Sequence, residues 1–345
     1  MEKEPPGPAP VVVVYNCDFL EGGSAESTHG SEAGQESAEV AELIAETLRK
    51  SGRDVTLRSL DESLPSWRPN GVVFNLVESL GGDPGREAEF PRFLEGLGLP
   101  FTGNSSAALD LAHAKHEARQ VLAAAGVRIP RGLVFGDAQF DARELAQMDF
   151  PIFLKPALFD GSVGIDQGSI VHNLVELRTR LIWLSDRIPG PYLAETYLPG
   201  REFNVAIGPH SLGRFAAVTE IDFSSFGDDL ARIVTYDCKW IPDCAEAGAC
   251  SRPVHRSSNP SLFDALVTQA QLAMRAIGAH SYGRVDLRLS AEGVPHVIDV
   301  NPNPDIHPDA GYMIATRSLG FSASQLYLGI LEDATMAGSE ESIAW

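Results

Sequence analysis

Short apolar runs mark the first hundred residues, and polar or helical stretches separate them. VVVVYN (11–16), VTLRSL (55–60) and GVVFNL (71–76) each have the length and composition of a buried strand. Between the first two runs, a stretch rich in Gly, Ser and Glu (21–37) predicts a long loop, and the apolar positions over 40–48 fall on one face of a helix. Strands and a helix in this order predict an α/β layer built on a parallel sheet.

The rest of the chain mixes helices with strands of antiparallel type. Apolar spacing predicts a helix around Phe90 with Pro91 in its first turn, one long helix over 109–125, and a third helix that begins at Asn259-Pro260. The predicted strands cover 132–137, 150–156, 191–198, 202–208 and 214–221. We therefore expect the fold class to be α/β in the first part of the chain and α+β beyond it.

Composition narrows the range of partners. The 345 residues include 27 Lys and Arg against 47 Asp and Glu, which gives a formal net charge of −20. A chain this acidic repels a phosphate backbone and an anionic membrane surface, so we predict no nucleic-acid partner and no membrane partner. No stretch has the roughly 20 apolar residues that span a bilayer, and the first residues lack an apolar signal region, so we expect a cytoplasmic protein.

The cysteines give a weaker signal. Cys238, Cys244 and Cys250 repeat with five residues between them, whereas zinc ligands usually stand roughly two to four residues apart. Reduced thiols in a loop are the favoured interpretation, and a metal site or a regulatory disulfide is the alternative.

Two runs of alternating residues flank Glu292-Gly293 and predict a β-hairpin over 281–304. If these two residues form the whole turn, Leu287 faces Ile298. Alternation then gives the hairpin one apolar face, which carries Val285, Leu287, Leu289, Ile298 and Val300.

The opposite face of the hairpin carries the candidate chemistry. In the same register, Asp286 faces Asp299 and Arg284 faces Asn301. Two carboxylates directly opposite each other repel, and Mg²⁺ would offset the repulsion because it prefers hard oxygen ligands. Arg284 supplies a fixed positive charge for a phosphate or an oxyanion. A solvated polar face is the alternative interpretation, and a register slip of one residue would put the two aspartates on opposite faces.

Two further segments carry groups that suit a nucleotide. Lys155 lies near the end of a predicted strand, and the small residues of FDGSVG (159–164) follow it, so that a point charge and close backbone N–H groups could meet phosphate oxygens. ETYLPGRE (195–202) places Glu195 and Glu202 beside backbone groups at a strand end, which could hydrogen-bond a base and a ribose. Plain turns between strands are the alternatives.

In this order, the segments resemble the ATP-grasp superfamily, and specifically the D-alanine–D-alanine ligase family, from about Val11 to about Leu331. The resemblance implies an ATP-grasp fold with an N-terminal parallel-sheet domain over 1–103, a small central lid domain over 104–195, and a C-terminal domain with the metal-binding hairpin over 196–345. Its most specific parts are GLGLPFTGNSSAALDLAHAKHEARQVLAAAGVRIP (96–130), FPIFLKPALFDGSVGI (150–165), LAETYLPGREFNVAIG (193–208), TYDCKW (235–240) and GRVDLRL…HVIDVNPNP (283–304).

The resemblance also implies a role for each matching residue. Arg284, Lys239 and Ser162 match catalytic positions, and Arg284 matches the arginine that stabilises an oxyanion. The binding positions are three lysines for nucleotide phosphates (Lys115, Lys155, Lys239), a mobile loop above them (Ser162, Val163, Gly164), an adenine hinge (Glu195, Tyr197, Leu198), a ribose carboxylate (Glu202) and ligands of Mg²⁺, with Mn²⁺ as an alternative ion (Asp286, Asp299, Asn301).

The implied reaction joins two small molecules at the expense of ATP. A substrate carboxylate attacks the γ-phosphate to give an acyl phosphate, and a second substrate's amine then attacks the acyl carbon while Arg284 holds the oxyanion. The products are an amide, ADP and phosphate. The expected partners are small carboxylates and amines, such as amino acids or their derivatives, and the family suggests a homodimer.

The substrate-binding positions depart from the family. Glu78 stands where the family has a histidine, Glu36 lies near the glutamate that holds the first amino group, and Asp305 and His307 lie around the second substrate's carboxylate. Glu78 and Asp305 would repel a bare carboxylate and attract an amine. We therefore expect substrates other than two D-alanines, with a cationic or larger amine acceptor.

Three alternatives stay open from the sequence. These four residues could lie behind the substrate site without touching it. The chain could be a genuine D-alanine–D-alanine ligase of cell-wall synthesis. It could also be an ATP-binding regulatory module without turnover, although such a module would have no use for an oxyanion-binding arginine.

Overall fold

The strands form three sheets within the part of the chain that this computed structural model describes. That part consists of residues 9–17, 28–61, 63–136, 147–159, 161–241, 244–246 and 248–336, without the side chains of residues 28–36 and of Trp240.

The first sheet is parallel, as its apolar strands predict, with the order β2-β1-β3. Its elements are β1 (Val11–Asn16), α1 (Thr28–Lys50), β2 (Val55–Leu60), β3 (Val72–Leu76) and α2 (Glu89–Leu97). The two helices pack in separate cores, which contain opposite faces of the sheet. The loop predicted over 21–37 is wrong from residue 28 onward, because the Glu, Ala and Gln residues there are good helix formers and extend α1; residues 21–27 lie outside the description.

The second sheet is antiparallel, with the order β4-β7-β5-β6. Its elements are β4 (Gly132–Phe135), β5 (Ile152–Pro156), β6 (Ile170–Val171), α5 (Leu174–Ser185) and β7 (Tyr192–Thr196). Two helices precede it, α3 (Ser106–His113) and α4 (Lys115–Ala124). The single helix predicted over 109–125 is wrong, because Ala114 leaves the helical region with ψ 73°. This break makes Lys115 the first residue of α4.

The third sheet is antiparallel, with the order β10-β9-β8-β11-β12. Its elements are β8 (Glu202–Ile207), β9 (Ala216–Asp222), α6 (Tyr236–Trp240), β10 (Cys250–Val254), α7 (Pro260–Ala276), β11 (Gly283–Leu289), β12 (Pro295–Asn301), α8 (Gly311–Arg317) and α9 (Ala323–Met336). Helix α7 packs on the apolar face of the hairpin, and α8 and α9 share a core with α1 and the first sheet. The first and third sheets are therefore held together by a continuous apolar core.

The turn of the β11–β12 hairpin is longer than alternation predicts. Three residues lie between Ser290 and Val294, whose carbonyl oxygen accepts the Ser290 N–H at 2.9 Å, and the glycine at the end of the turn has φ 79°. The predicted two-residue turn is therefore wrong. As a result, Leu287 pairs with Val297 rather than with Ile298.

A β-bulge restores the predicted polar pairs. The register shifts by one residue just after Asp286, and Ile298 is the extra residue on β12. Asp286 therefore faces Asp299 and Arg284 faces Asn301, as predicted. Without the bulge, the three-residue turn would leave the two aspartates on opposite faces of the sheet. The placement of Ile298 on the apolar face is wrong, because the bulge turns it into the wall of a cleft.

Asn104 hydrogen-bonds the residues on either side of the β11–β12 hairpin. Its Nδ2 donates to the carbonyl oxygens of Tyr282 (2.8 Å) and Pro302 (2.6 Å), and its Oδ1 accepts the N–H groups of His280 (2.8 Å) and Ser281 (2.9 Å). The side chain is buried, so these bonds satisfy polar groups that water cannot reach.

None of the described helices is both long enough and apolar enough to cross a membrane.

His280 makes stability depend on pH. Burial and the nearby Arg214 charge lower the pKa of His280 below its ordinary 6.5. As the pH falls through that range, the unfolded chain takes up a proton that the folded chain refuses, so the free energy of unfolding decreases. We expect His280→Gln to flatten this decrease in urea unfolding measured from about pH 7.5 to about pH 5.5. The exposed His255→Gln variant should keep the wild-type slope; equal slopes for all three proteins would contradict the assignment.

Candidate functional site

A cleft of about 760 Å³ opens between the second and third sheets and the loops that follow β3 and β12. We call it the cleft throughout. It brings together most of the residues that the sequence singles out, namely Glu78, Lys115, Lys155, Ser162, Val163, Glu195, Tyr197, Leu198, Glu202, Lys239, Arg284, Asp286, Asp299, Asn301 and Asp305.

Three predicted residues are not placed in the cleft wall. Gly164 lies behind it, where an added Cβ would meet Pro156 Cγ at 2.8 Å. His307 belongs to a turn: its N–H donates to Asp305 Oδ1 at 2.7 Å, and its Nδ1 accepts the Asp309 N–H at 3.2 Å. Glu36 lies in α1, outside the side chains that the structure describes.

The first carboxylate of the hairpin face is held from two sides. Arg284 donates to both oxygens of Asp286, from Nε at 2.8 Å and from Nη2 at 2.9 Å. Asn204 stands opposite Asp286 on β8 and donates from Nδ2 to Oδ1 at 2.7 Å. Burial alone would lower the pKa of Arg284, but the carboxylates of Asp286, Asp299 and Asp305 together outweigh burial and raise that pKa above its ordinary value. Arg284 therefore stays charged in the cleft.

The other two oxygen groups stand on β12. Lys115 reaches Asp299 Oδ1 at 3.4 Å from the first turn of α4, and Asn301 Oδ1 accepts the Asn303 N–H at 2.8 Å. Two carboxylates and one carboxamide oxygen on one face are the donor types that Mg²⁺ prefers. The described residues contain no group of three or more His, Cys, Asp and Glu suited to a metal ion.

Glu195, predicted to lie at the adenine hinge, is engaged through both carboxylate oxygens. Arg119 Nη1 donates to Oε1, and Lys155 Nζ lies 3.1 Å from Oε2. Arg119 was not among the residues predicted from the sequence. Its spacing of four residues from Lys115 was the available signal, because residues four apart lie on one face of a helix.

Glu202 is held by an arginine that the sequence analysis also missed. Arg288 Nη1 donates to Glu202 Oε2 at 2.8 Å, and the same guanidinium reaches the carbonyl oxygens of Leu198 (2.6 Å) and Arg232 (2.6 Å) and the Tyr197 hydroxyl (3.3 Å). Burial raises the pKa of the Glu202 carboxyl, and the Arg288 charge opposes part of that rise. Alternation along β11 puts Arg288 on the polar face of the hairpin, which was the signal in the sequence.

The loop over 161–165 rests on the segment that leads into α6. Ser162 has φ 64° and its Oγ donates to the Val234 carbonyl at 3.0 Å, while the Tyr236 N–H donates to the Ile165 carbonyl at 2.9 Å. A positive φ is unusual for a residue other than glycine and fits a tight loop held by its neighbours. The loop and this segment together form one wall of the cleft.

Lys239 enters the cleft from α6. Thr235 caps this helix, since its Oγ1 accepts the Cys238 N–H at 3.1 Å. The pKa of Lys239 is lowered, first by its removal from bulk solvent inside the cleft and then by the Arg284 charge.

The prediction that Cys238, Cys244 and Cys250 all lie in a loop is wrong, because Cys238 lies in α6 and Cys250 lies in β10. All described cysteines are free thiols.

The carboxylates of Glu78, Glu87 and Asp305 line the cleft together with Tyr282. Burial raises the pKa of the Tyr282 hydroxyl, and the negative charges of these three side chains raise it further. Asn303 Nδ2 donates to Glu87 Oε1 at 2.6 Å. We call Glu78, Glu87 and Asp305 the acidic corner.

A family model described as D-ala D-ala ligase C-terminus matches residues 129–332. The chain belongs to this family. Membership places it among the ATP-dependent ligases that form C–N bonds, and it confirms the family and enzyme class expected from the sequence.

Individual relatives agree with this assignment. The uncharacterized protein y4sG of Sinorhizobium fredii (strain NBRC 101917 / NGR234) is 28% identical over 306 residues, which are 86% of this chain and 87% of that protein. A D-alanine–D-alanine ligase of Synechococcus sp. (strain JA-3-3Ab) is 28% identical over 293 residues, which are 83% of this chain and 85% of that one.

A solved structure confirms the predicted fold class of this D-ala D-ala ligase family member. The crystal structure of D-alanine–D-alanine ligase from Bacillus anthracis complexed with ATP superposes with a TM-score of 0.74 at 18% identity, and the match covers 96% of this chain and 99% of that one. The ligase described here therefore has the ATP-grasp fold.

The Glu202–Arg288 pair of this ligase should be costly to break. Arg288→Ala leaves a buried carboxylate without its cation, so we expect the free energy of unfolding to fall by about 3–5 kcal/mol in urea denaturation. Arg256→Ala is the matched control, because it breaks the Arg256–Asp264 pair at an exposed position and should cost much less stability than Arg288→Ala. Equal losses in the two variants would show that Arg288 does not support a buried charge.

Proposed function

We propose that this chain couples ATP cleavage to amide formation between a small carboxylate substrate and an amine substrate, and that the two substrates are not both D-alanine. The observation that carries the proposal is the juxtaposition, in one cleft, of cations suited to a triphosphate with an acidic corner suited to an amine. Family membership supports the coupling chemistry, and the acidic corner supports the change of substrate.

The three lysines divide the work of holding ATP. Lys115 and Lys155 lie close to the hairpin, where Lys155 Nζ is 3.4 Å from the Ile298 carbonyl oxygen and Lys115 reaches Asp299. Lys239 faces them from α6 across the cleft. Ammonium groups from two sides can attract phosphate oxygens and orient the terminal phosphate for in-line attack.

The hairpin carboxylates are the proposed metal site. Asp286, Asp299 and Asn301 would hold Mg²⁺, which when bound would neutralise charge on the phosphates of ATP. In the protein itself, Arg284 and Lys115 hold the two carboxylates in place, so their oxygens are already oriented toward the cleft.

The reaction proceeds in two transfers. A carboxylate oxygen of the first substrate attacks the γ-phosphorus, and the bond to the leaving oxygen of ADP breaks. The amine nitrogen of the second substrate then attacks the acyl carbon, loses a proton and expels phosphate. Arg284 would stabilise the oxyanion formed in this second transfer, because a preorganised positive charge acts most strongly on charge that develops in the transition state.

The loop over 161–165 suits the protection of an acyl phosphate. It rests on the segment before α6 through the Ser162–Val234 and Tyr236–Ile165 hydrogen bonds. A closed wall at this position would keep water from the intermediate, which water would otherwise hydrolyse.

The acidic corner distinguishes this proposal from the alternatives. Asp305 is exposed to the cleft, and together with Glu78 it would repel the carboxylate of a second D-alanine and attract a cationic amine. The 28% identity to a D-alanine–D-alanine ligase keeps that activity as the second candidate. A homodimer stays a prediction from the family resemblance.

A substrate screen tests the proposal directly. Purified protein with ATP and Mg²⁺ should release ADP and give amide products with cationic or larger amines, detected by mass spectrometry as the sum of two substrates less one water. Asp305→Asn should lower kcat/KM for a cationic acceptor by about tenfold, because one charge-assisted contact is lost. Asp309→Asn, in the same loop and exposed, is the control. Robust formation of D-alanyl-D-alanine would overturn the substrate proposal.

Arg284 gives a second test, aimed at the chemistry. Arg284→Ala should lower kcat by about 10²–10³, because the group acts on the transition state, while calorimetry should find a smaller loss of ATP affinity, which reflects the lost contact with Asp286. Arg275→Ala, an exposed substitution on α7, should leave both unchanged. An equal loss of nucleotide affinity and of kcat would count against the oxyanion role.

A further inference from the structure

The Glu195 carboxylate is shared by two cations in a part of the cleft that is almost closed to solvent. Arg119 donates to one oxygen and Lys155 lies 3.1 Å from the other. The side chains of Glu195, Lys155 and Arg119 are 5%, 12% and 15% exposed. Two positive charges on one buried carboxylate are more than its charge requires, so the arrangement needs an explanation beyond simple pairing.

The path of Arg119 to Glu195 is built into the fold. Arg119 lies one turn after Lys115 on α4 and reaches across β4 at Gly132, which pairs with Glu195 in the sheet. A Cβ at Gly132 would come within 2.7 Å of the Ala194 carbonyl oxygen, 2.9 Å of Arg119 Nη2 and 3.1 Å of Glu195 Cγ, so a side chain at this position would crowd the contact. The guanidinium also donates to the Pro130 carbonyl oxygen, which fixes its orientation.

Lys155 is placed between two tasks. Its Nζ bridges Glu195 to the Ile298 carbonyl oxygen of the hairpin, 3.4 Å away. The proposed function requires the same ammonium to meet phosphate oxygens of ATP. To do so, Lys155 must loosen its contact with Glu195. If Lys155 were the one cation beside Glu195, this would leave a buried carboxylate without a positive charge, which is strongly unfavourable.

We propose that Arg119 is a positioning residue that keeps Glu195 paired, so that Lys155 is free to turn toward the phosphates of ATP. The proposal rests on the proposed function, since it assumes that ATP binds in the cleft. If Arg119 were removed, Lys155 would be the cation that remains from this pair. Glu195 would then hold Lys155 away from the nucleotide. The role is therefore electrostatic and acts through Lys155, without contact between Arg119 and ATP.

Helix α4 carries both Arg119 and the lysine that contacts the hairpin. Lys115 at its first turn reaches Asp299, and Arg119 on the next turn reaches Glu195. One helix thus positions two cations, Lys115 beside the hairpin and Arg119 beside Glu195. A substitution at Arg119 that tilted α4 would also disturb Lys115, so the test must separate charge from structure.

Calorimetry with a non-hydrolysable ATP analogue and Mg²⁺ measures the effect without turnover. Arg119→Gln should raise the dissociation constant by about tenfold, the change expected when one charge-assisted contact is lost. Arg119→Lys should stay near wild type, because it keeps the charge at Glu195. The double variant Arg119→Gln with Glu195→Gln should bind the analogue as well as Glu195→Gln alone does, because no carboxylate then holds Lys155.

A second substitution on helix α4 provides the control for Arg119→Gln. Gln120→Ala, on the exposed side of α4, should bind the analogue as wild type does. Binding by Arg119→Gln equal to wild type, or binding by the double variant that is weaker than binding by Glu195→Gln alone, would overturn the proposal and indicate a structural contact between α4 and β4. If Arg119→Gln does not fold, Arg119→Lys decides the question: affinity near wild type supports the proposal, and a loss of about tenfold contradicts it. Failure of the wild type to bind the analogue would instead refute the proposed function.

Discussion

The repulsion between Asp286 and Asp299 is the constraint on which the rest of the site depends. Two carboxylates opposite each other on neighbouring antiparallel strands lie with their Cβ atoms about 5 Å apart, which is unfavourable without compensation. The compensation comes from different parts of the fold, because Arg284 stands on the same strand, Asn204 on β8 and Lys115 on α4. The sheet, the helix and the hairpin must therefore be assembled together before this face is stable.

The distribution of charge explains how an acidic chain suits an anionic substrate. The net charge of −20 argues against a nucleic-acid partner, but net charge does not fix the potential inside a cleft. Glu195 and Glu202 are buried there, and each is paired with a long cationic side chain from another element. The walls of the cleft carry five cationic side chains from different elements, namely Lys115, Lys155, Lys239, Arg284 and Arg288. A sixth cation, Arg119, contacts Glu195.

Local patterns predicted the elements, and long-range contacts decided what local patterns left open. Alternation in the hairpin gave the correct polar pairs although it gave the wrong turn, because the bulge at Ile298 cancels the extra turn residue. A bulge has no distinctive pattern in a single sequence, so this compensation was not predictable. Likewise, Arg119 and Arg288 reach partners many residues away through flexible side chains, and only the fold shows which carboxylate each one meets.

The division between strands and loops explains how substrate choice could change while the coupling chemistry stays the same. The groups proposed to hold ATP and metal stand on strands and helices, where register fixes their positions. Glu78 and Asp305 follow β3 and β12 in loops, where a substitution changes charge without disturbing a sheet. The formation of an acyl phosphate involves the carboxylate group itself and depends little on the acid's side chain. Selection of the amine depends on the charge beside it, so an acidic corner can redirect the ligase and leave the hairpin unchanged.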